Sequence, residues 1–174
     1  MKMQFTYNIF LIGFMGSGKS TVADYLCEKF DMDVVEMDQV IAERERMSIS
    51  DIFEKCGEPY FRDLETKLLV KLQEKTNTVV SCGGGVAMRE CNVAEMKKNG
   101  KVVLLTAKPE TILERVENNH DRPLLENNKT VAYIAELMEK RREKYEAAAD
   151  MIIETDGKSA QKICEEIIQR LGER

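Results

Sequence analysis

The stretch Gly13-Phe14-Met15-Gly16-Ser17-Gly18-Lys19-Ser20 decides the fold of this 174-residue chain. It matches the pattern G-x-x-x-x-G-K-[ST], with an apolar run at residues 7–12 before it and helical apolar spacing at residues 20–30 after it. In this pattern the glycines let backbone N–H groups curl around a phosphate, and the start of the following helix adds positive potential. The stretch therefore predicts a strand, a phosphate-binding loop and a helix in succession.

Two side chains of this loop have a defined chemistry toward a bound nucleotide. Lys19 is expected to reach the β- and γ-phosphate oxygens, and the Ser20 hydroxyl is expected to ligate Mg²⁺. The residues of this stretch predicted to bind the nucleotide are Gly16, Ser17, Gly18, Lys19, Ser20 and Thr21.

Strand and helix patterns alternate along the rest of the chain. Short apolar runs predict further strands at residues 34–37, 78–81, 102–105 and 151–153, with helical segments between them. This order predicts a single α/β domain over residues 1–174, a three-layer α/β/α sandwich around a five-stranded parallel sheet. The polar stretch 118–129 is long enough to act as a short lid. Gly100 is expected to end the helix before the fourth strand.

Composition and charge exclude several classes of protein. The chain carries a net charge of −5, whereas proteins that bind nucleic-acid backbones usually present a basic stripe. Its five cysteines are widely spaced without a C-x-x-C pair, which excludes a disulfide framework and a structural zinc site. His120 is its single histidine, and no apolar run approaches the ~18 residues of a membrane span. We expect a cytoplasmic monomer that binds neither nucleic acid nor membrane.

The phosphate loop alone leaves three classes of nucleotide-binding protein open, namely GTPases, motor ATPases and small-molecule kinases. A GTPase needs an N-K-x-D signature, and the nearest stretch, residues 128–131, reads N-K-T-V. A motor ATPase needs an acidic pair after an apolar strand, whereas the third strand here ends in Gly83-Gly84-Gly85. Small size and an arginine in the lid favour a small-molecule kinase.

An ordered set of further motifs resembles the shikimate kinase family, from about Ile9 to Leu171. The motifs are GFMGSGKST, an acidic residue two positions before Asp38, S-I-x-D-I-F-x-x-x-G-E-x-x-F-R, the three glycines, RPLL in the lid and K-R…Y in the long last-but-one helix. The resemblance implies a P-loop fold of the nucleoside monophosphate kinase type. It also implies ATP as co-substrate and phosphorylation of the 3-hydroxyl of shikimate, a step toward chorismate and the aromatic amino acids.

The resemblance also implies roles for residues on the acceptor side. Asp38 is expected to bind a shikimate hydroxyl and to accept the proton of the attacking group. Arg62 and Arg141 are expected to hold the shikimate carboxylate, which a guanidinium fork matches in shape. The glycine loop that is expected to contact the ring and the γ-phosphate consists of Gly83, Gly84 and Gly85.

Four more residues complete the expected site on the nucleotide side. Arg122 of the lid is expected to fold over the phosphates and balance transition-state charge, so the predicted catalytic residues are Asp38, Lys19 and Arg122. The resemblance also implies that Arg115 and Lys158 correspond to positions that flank the adenine in the shikimate kinase family. Glu36 is expected to help Ser20 hold Mg²⁺, and the family commonly has an aspartate there.

Two other functions are less compatible with these residues. Another small P-loop kinase, such as a gluconate or nucleoside monophosphate kinase, would not pair an aspartate with two arginines around three glycines. A regulatory homologue without activity would not need to keep the whole set Lys19, Ser20, Asp38, Arg122 and Arg141. Both alternatives are therefore disfavoured by the residues present.

Overall fold

Five parallel strands form one sheet in the part of the chain that the computed structural model describes, residues 4–117 and 130–172. In chain order they are β1 (Asn8–Ile12), β2 (Asp33–Glu36), β3 (Thr78–Ser81), β4 (Gly100–Thr106) and β5 (Met151–Glu154). Their spatial order is β2-β3-β1-β4-β5, and every neighbouring pair is parallel. The predicted α/β class and the five-stranded parallel sheet are confirmed.

Helices connect these strands throughout the described ranges. They are α1 (Lys19–Phe30), α2 (Met37–Glu45), α3 (Ile49–Cys56), α4 (Glu58–Leu72), α5 (Glu90–Lys98), α6 (Pro109–Val116), α7 (Val131–Ala148) and α8 (Ala160–Gly172). A short 3-10 turn at Val86–Met88 follows the three glycines. None of the helices in residues 4–117 and 130–172 is both long enough and apolar enough to cross a lipid bilayer.

Two apolar clusters fill the two faces of the sheet. Along β1, Ile9 and Leu11 point into the cluster that α1 and α8 cover, whereas Phe10 and Ile12 point into the opposite cluster, which the other helices cover. This alternation follows from the two-residue side-chain period of a strand. All four side chains are buried, as the central strand of a parallel sheet requires. The predicted three-layer sandwich is confirmed.

Side-chain caps fix the start of two helices. The Thr130 hydroxyl accepts a hydrogen bond from the Tyr133 N–H at the start of α7, and the Ser159 hydroxyl accepts one from the Lys162 N–H at the start of α8. Each satisfies a backbone donor that the first helical turn leaves without a partner.

The prediction for Gly100 was confirmed for the end of the helix, because α5 ends at Lys98 with Asn99 as its cap. It was wrong about the reason for the glycine, since Gly100 begins β4 and does not have the positive φ of a helix-ending glycine. A Cβ on Gly100 would lie 2.4 Å from Cε2 of Phe10, so the residue is glycine because the Phe10 ring packs against its backbone. The position is set by tertiary packing, which a local pattern does not contain.

Candidate active site

The carboxyl ends of β1, β2 and β3 open into one cleft of about 280 Å³. Because β1 lies between β3 and β4, its carboxyl end is at the point where the chain order reverses, where sheets of this kind bind ligands. The residues that line the cleft are Met15, Gly16, Gly18, Lys19, Ser20, Thr21, Glu36, Asp38, Ser81, Cys82, Gly83, Gly84 and Arg115. Predicted nucleotide residues and predicted acceptor residues thus share one cavity.

The phosphate loop holds its shape through its own lysine. Lys19 Nζ donates to the carbonyl oxygens of Gly13 at 2.8 Å and Phe14 at 3.1 Å. Gly18 precedes α1 with φ of 100°, a left-handed conformation that a residue with a Cβ rarely adopts. The backbone is therefore already folded around the start of α1, where a phosphate is favoured.

Ser20 and Glu36 face each other across the cleft. The Ser20 hydroxyl donates to Glu36 Oε2 at 3.0 Å, which places two oxygen ligands at the end of β2 beside the loop. Burial raises the pKa of the Glu36 carboxyl, hydrogen bonds from Ser20 and Ser81 oppose that rise, and Asp24 and Asp38 add to it. A pair of oxygen donors in a negatively charged corner fits a hard cation such as Mg²⁺.

Asp38 lies in the first turn of α2, directly after β2, and its carboxylate faces the glycine loop. Its Oδ1 is buried and lies 2.9 Å from the place that a Cβ on Gly83 would occupy. The absence of that Cβ leaves room for the carboxylate at the floor of the cleft. Asp38 thus lies next to both Glu36 and the glycine loop.

Arg62 is held in a fixed orientation above Gly85. Its guanidinium donates to Glu65 Oε1 at 2.8 Å and to Glu58 Oε2 at 2.9 Å. The rings of Phe53 and Phe61 flank it, with centroids 5.8 and 5.3 Å from Cζ. A Cβ on Gly85 would overlap the guanidinium, so a larger residue there would push the Arg62 side chain out of this position. The side chain is 13% exposed, so it has little freedom to move.

Glu65 is a member of the site that sequence reasoning missed. It is completely buried in α4, and its Oε2 has no hydrogen-bond partner among the described residues and lies beside Gly83. Burial raises the pKa of the Glu65 carboxyl to about 7, against the opposing effect of Arg62, while the Asp38 charge raises it further. Its spacing could have identified it, because position 65 falls on the apolar face of α4 between Phe61 and Leu69, where a carboxyl is unexpected.

Arg141 and Tyr145 bind the glycine loop from α7. Arg141 Nη1 donates to the Gly84 carbonyl at 3.1 Å, and the Tyr145 hydroxyl donates to the same oxygen at 2.5 Å. The guanidinium also lies over the Phe14 ring of the phosphate loop, 5.7 Å from its centroid. Sequence reasoning assigned no role to Tyr145, although it follows Arg141 by four residues and therefore shares its helix face.

Of the three remaining predicted residues, one lines the cleft, one forms an ion pair with α8 and one lies outside the described residues. Arg115 of α6 lines the cleft and donates to the Gly16 carbonyl at 3.0 Å and to the Thr155 hydroxyl at 3.3 Å. The Lys158 ammonium instead forms an ion pair with Glu166 of α8 at 2.6 Å. Arg122 and the whole predicted lid, residues 118–129, lie outside the described residues.

Comparison with known proteins gives one consistent family. The family model described as shikimate kinase matches residues 15–172. A shikimate kinase from Persephonella marina is 46% identical over 164 residues, which cover 94% of this chain and 98% of that protein. One from a Sulfurihydrogenibium species is 44% identical, with coverage of 96% and 99%.

A solved structure agrees with these relatives. The shikimate kinase from Acinetobacter baumannii in complex with shikimate superposes with a TM-score of 0.90 at 33% identity. The match covers 95% of this chain and 92% of that one. Sequence and fold thus point to the same family over nearly the full length.

Proposed function

This chain belongs to the shikimate kinase family, and we propose that it transfers the γ-phosphoryl group of ATP to the 3-hydroxyl of shikimate, releasing ADP and shikimate 3-phosphate. Membership of this family makes the chain a kinase, a phosphotransferase with an alcohol acceptor. The observation that carries the proposal is the single cleft in which the phosphate loop meets Asp38 and the glycine loop. A donor and an acceptor bound at its two ends would meet with little further movement, which lowers the entropic barrier of the reaction.

The acceptor is bound through its carboxylate and its hydroxyls. Arg62 and Arg141 approach the glycine loop from α4 and α7, so a carboxylate between them would receive guanidinium donors from two directions. Asp38 then faces a ring hydroxyl, accepts its hydrogen bond and takes its proton as the phosphoryl group arrives. A loose phosphoryl-transfer transition state requires mainly positioning from this residue.

The donor is held by the backbone of the phosphate loop, Lys19 and the start of α1. Lys19 would exchange its contacts with the Gly13 and Phe14 carbonyls for phosphate oxygens, and the ammonium offsets charge that spreads over the transferring group. We propose Arg122 as a second cation for that charge and Arg115 as a contact of the nucleotide base. The Arg122 proposal rests on the R-P-L-L motif.

Ser20 and Glu36 are the residues that would hold Mg²⁺, since their oxygens lie 3.0 Å apart at the edge of the phosphate loop. A Mg²⁺ held by these residues would supply positive charge that offsets the negative charge of the phosphates. The protein's own contribution is to fix the two oxygen donors beside the loop.

Consistent with the composition, we also propose that the protein acts as a cytoplasmic monomer without nucleic-acid or membrane partners.

A coupled ADP-release assay tests the activity. We expect ADP release with shikimate and background rates with gluconate, AMP or no acceptor. The matched control is Asp38→Asn, which keeps the side-chain size but removes the charge and the basicity, so kcat should fall by about 10²-fold or more. Equal rates with shikimate and gluconate, or normal turnover in Asp38→Asn, would contradict the proposal.

A further inference from the structure

Asn92 lies behind the glycine loop, outside the cleft, and joins two elements that carry acceptor-binding residues. Its side chain is completely buried. Its Nδ2 donates to the Val86 carbonyl at 2.9 Å, and its Oδ1 accepts from the Thr66 hydroxyl at 2.7 Å. Val86 begins the turn after Gly85, and Thr66 lies one helical turn after Arg62 in α4. One buried amide therefore links α4 to the glycine loop.

On both sides, the link continues toward the acceptor pocket. On the loop side, the Val86 N–H donates to the Gly83 carbonyl at 3.1 Å. On the helix side, the Thr66 hydroxyl lies 3.2 Å from the Arg62 carbonyl. Arg89 Nη1 lies 3.4 Å from the same Thr66 hydroxyl. The Arg62 guanidinium rests directly against Gly85 at the front of the same junction. The contact between Arg62 and Gly85 and the hydrogen bonds of the Asn92 amide together fix the spacing between α4 and the glycine loop.

We propose that Asn92 is a positioning residue for acceptor recognition, which acts by holding the Arg62 guanidinium at a set distance from the glycine loop. The inference rests on the proposed function. A fork that binds a carboxylate must be held to within about 0.5 Å of its productive position, and the residues behind it supply that precision. An apolar side chain at position 92 would leave the Val86 carbonyl buried without its donor and would free the Thr66 hydroxyl, so α4 and the loop would separate or shift.

A second buried asparagine, whose role is only structural, provides a matched control for the Asn92 variant. Asn8, at the start of β1, is also completely buried. Its Nδ2 donates to the Lys75 carbonyl at 3.0 Å and to the Leu72 carbonyl at 3.4 Å, and its Oδ1 accepts from the Thr78 N–H at 3.2 Å. Leu72 is the last residue of α4, roughly 15 Å along the helix axis from Arg62, and these contacts lie at the amino ends of the strands, opposite the cleft. Asn8→Leu should therefore cost folding stability as Asn92→Leu does, without affecting acceptor binding.

Steady-state kinetics on Asn92→Leu, Thr66→Val and Asn8→Leu test the proposal. For the first two variants we expect the KM for shikimate to rise about three- to tenfold, the effect of losing a buried neutral hydrogen bond. Their kcat should stay within about threefold of wild type and their KM for ATP within about twofold. Asn8→Leu should change neither KM by more than about twofold. Thr66→Val keeps the side-chain volume and decides the question if Asn92→Leu does not fold.

A double-mutant cycle distinguishes an effect through Arg62 from a general loosening of the pocket. In an Arg62→Ala background, Asn92→Leu should raise the KM for shikimate by less than about twofold, because the group that it positions is gone. Full additivity, an unchanged KM in Thr66→Val, or an equal rise in Asn8→Leu would overturn the inference. If wild type does not phosphorylate shikimate at all, the proposed function fails and this inference with it; an active wild type with unaffected variants contradicts only the role of Asn92.

Discussion

At the scale of single residues, Glu65 is the most unusual feature of the site, a carboxyl in the apolar face of α4. Burial raises the pKa of the Glu65 carboxyl from 4.5 to about 7. Below pH 4.5 it is neutral in both the folded and the unfolded state, and above pH 7 it is charged in both. Between these values the unfolded state ionises first, so the stability that the neutral group provides is lost as the pH rises.

We therefore expect Glu65→Gln to lose part of the pH dependence of folding stability. Relative to this variant, wild type should become less stable from pH 4.5 to pH 7 by roughly 3 kcal/mol, the free-energy equivalent of that pKa difference. Urea unfolding of both proteins at pH 5 and pH 8 measures the change, and other titrating groups cancel in the difference. Parallel stability curves for the two proteins would mean that Glu65 does not titrate in this range.

The acidic residue in the Ser20–Glu36 pair gives a second prediction at this scale. A contact to Mg²⁺ through water tolerates one methylene more or less, so Glu36→Asp should change the rate by less than about tenfold. Glu36→Gln removes the charge, so it should raise the Mg²⁺ concentration for half-maximal rate. The measurement is a magnesium titration of initial rates at saturating ATP and shikimate. An unchanged magnesium requirement in Glu36→Gln would remove Glu36 from the metal site.

The residues that the sequence identified and the one that it missed carry different signals. Glu36 ends β2 and Asp38 follows it, where the topology of a parallel sheet brings side chains to a common edge. Arg62 and Arg141 lie inside helices and were identified only through the family motifs. Glu65 acts from inside α4, through the packing of that helix against the glycine loop, and no motif marked it. Which turn of a helix meets a loop depends on how the helix is docked, and a local pattern does not encode that.

At the scale of elements, the contact between β1 and β4 is set by a close approach of Phe10 and Gly100. We expect Gly100→Ala to lower the free energy of unfolding by about 1–3 kcal/mol, because the new methyl group would overlap the Phe10 ring and the Asn8 carbonyl. Gly172→Ala is the control, since nothing lies within 4 Å of a Cβ there. Chemical denaturation measures both, and equal stabilities would show that the ring can move aside.

The elements themselves were largely predictable, for a reason that also explains where prediction failed. Apolar runs such as the one that forms β4 act over a few residues, so the order of strands and helices followed from the sequence. Gly100 did not, because both a helix end and a crowded strand favour glycine. A helix end would give Gly100 a positive φ, whereas a crowded strand places the Phe10 ring against its backbone. A local sequence pattern reveals neither the φ nor the position of the ring.

At the scale of the whole molecule, the fold separates the two proposed substrate sites along one cleft. The phosphate loop extends from β1 into α1, whereas Arg62 and Arg141 reach the proposed acceptor site from helices on the other face of the sheet. The two ends touch where the Arg141 guanidinium lies over the Phe14 ring. The parallel topology predicted the common edge, but not that α7 would close the acceptor end against the phosphate loop.

This separation predicts that each ligand's stabilising effect can be removed without the other's. A ligand at about 100 times its Kd adds about 2.7 kcal/mol, which raises Tm by about 5–10 °C in a domain of this size. In Arg141→Ala the shift caused by shikimate should largely disappear, while the shift caused by a non-hydrolysable ATP analogue remains. In Lys19→Met the shift caused by the ATP analogue should largely disappear, while the shift caused by shikimate remains. Methionine keeps the length of the side chain but lacks the cation proposed to face the phosphates. Thermal unfolding of wild type and both variants, with each ligand alone at concentrations fixed from wild type, measures the crossed pattern; loss of both shifts in either variant would mean that the cleft behaves as one inseparable site.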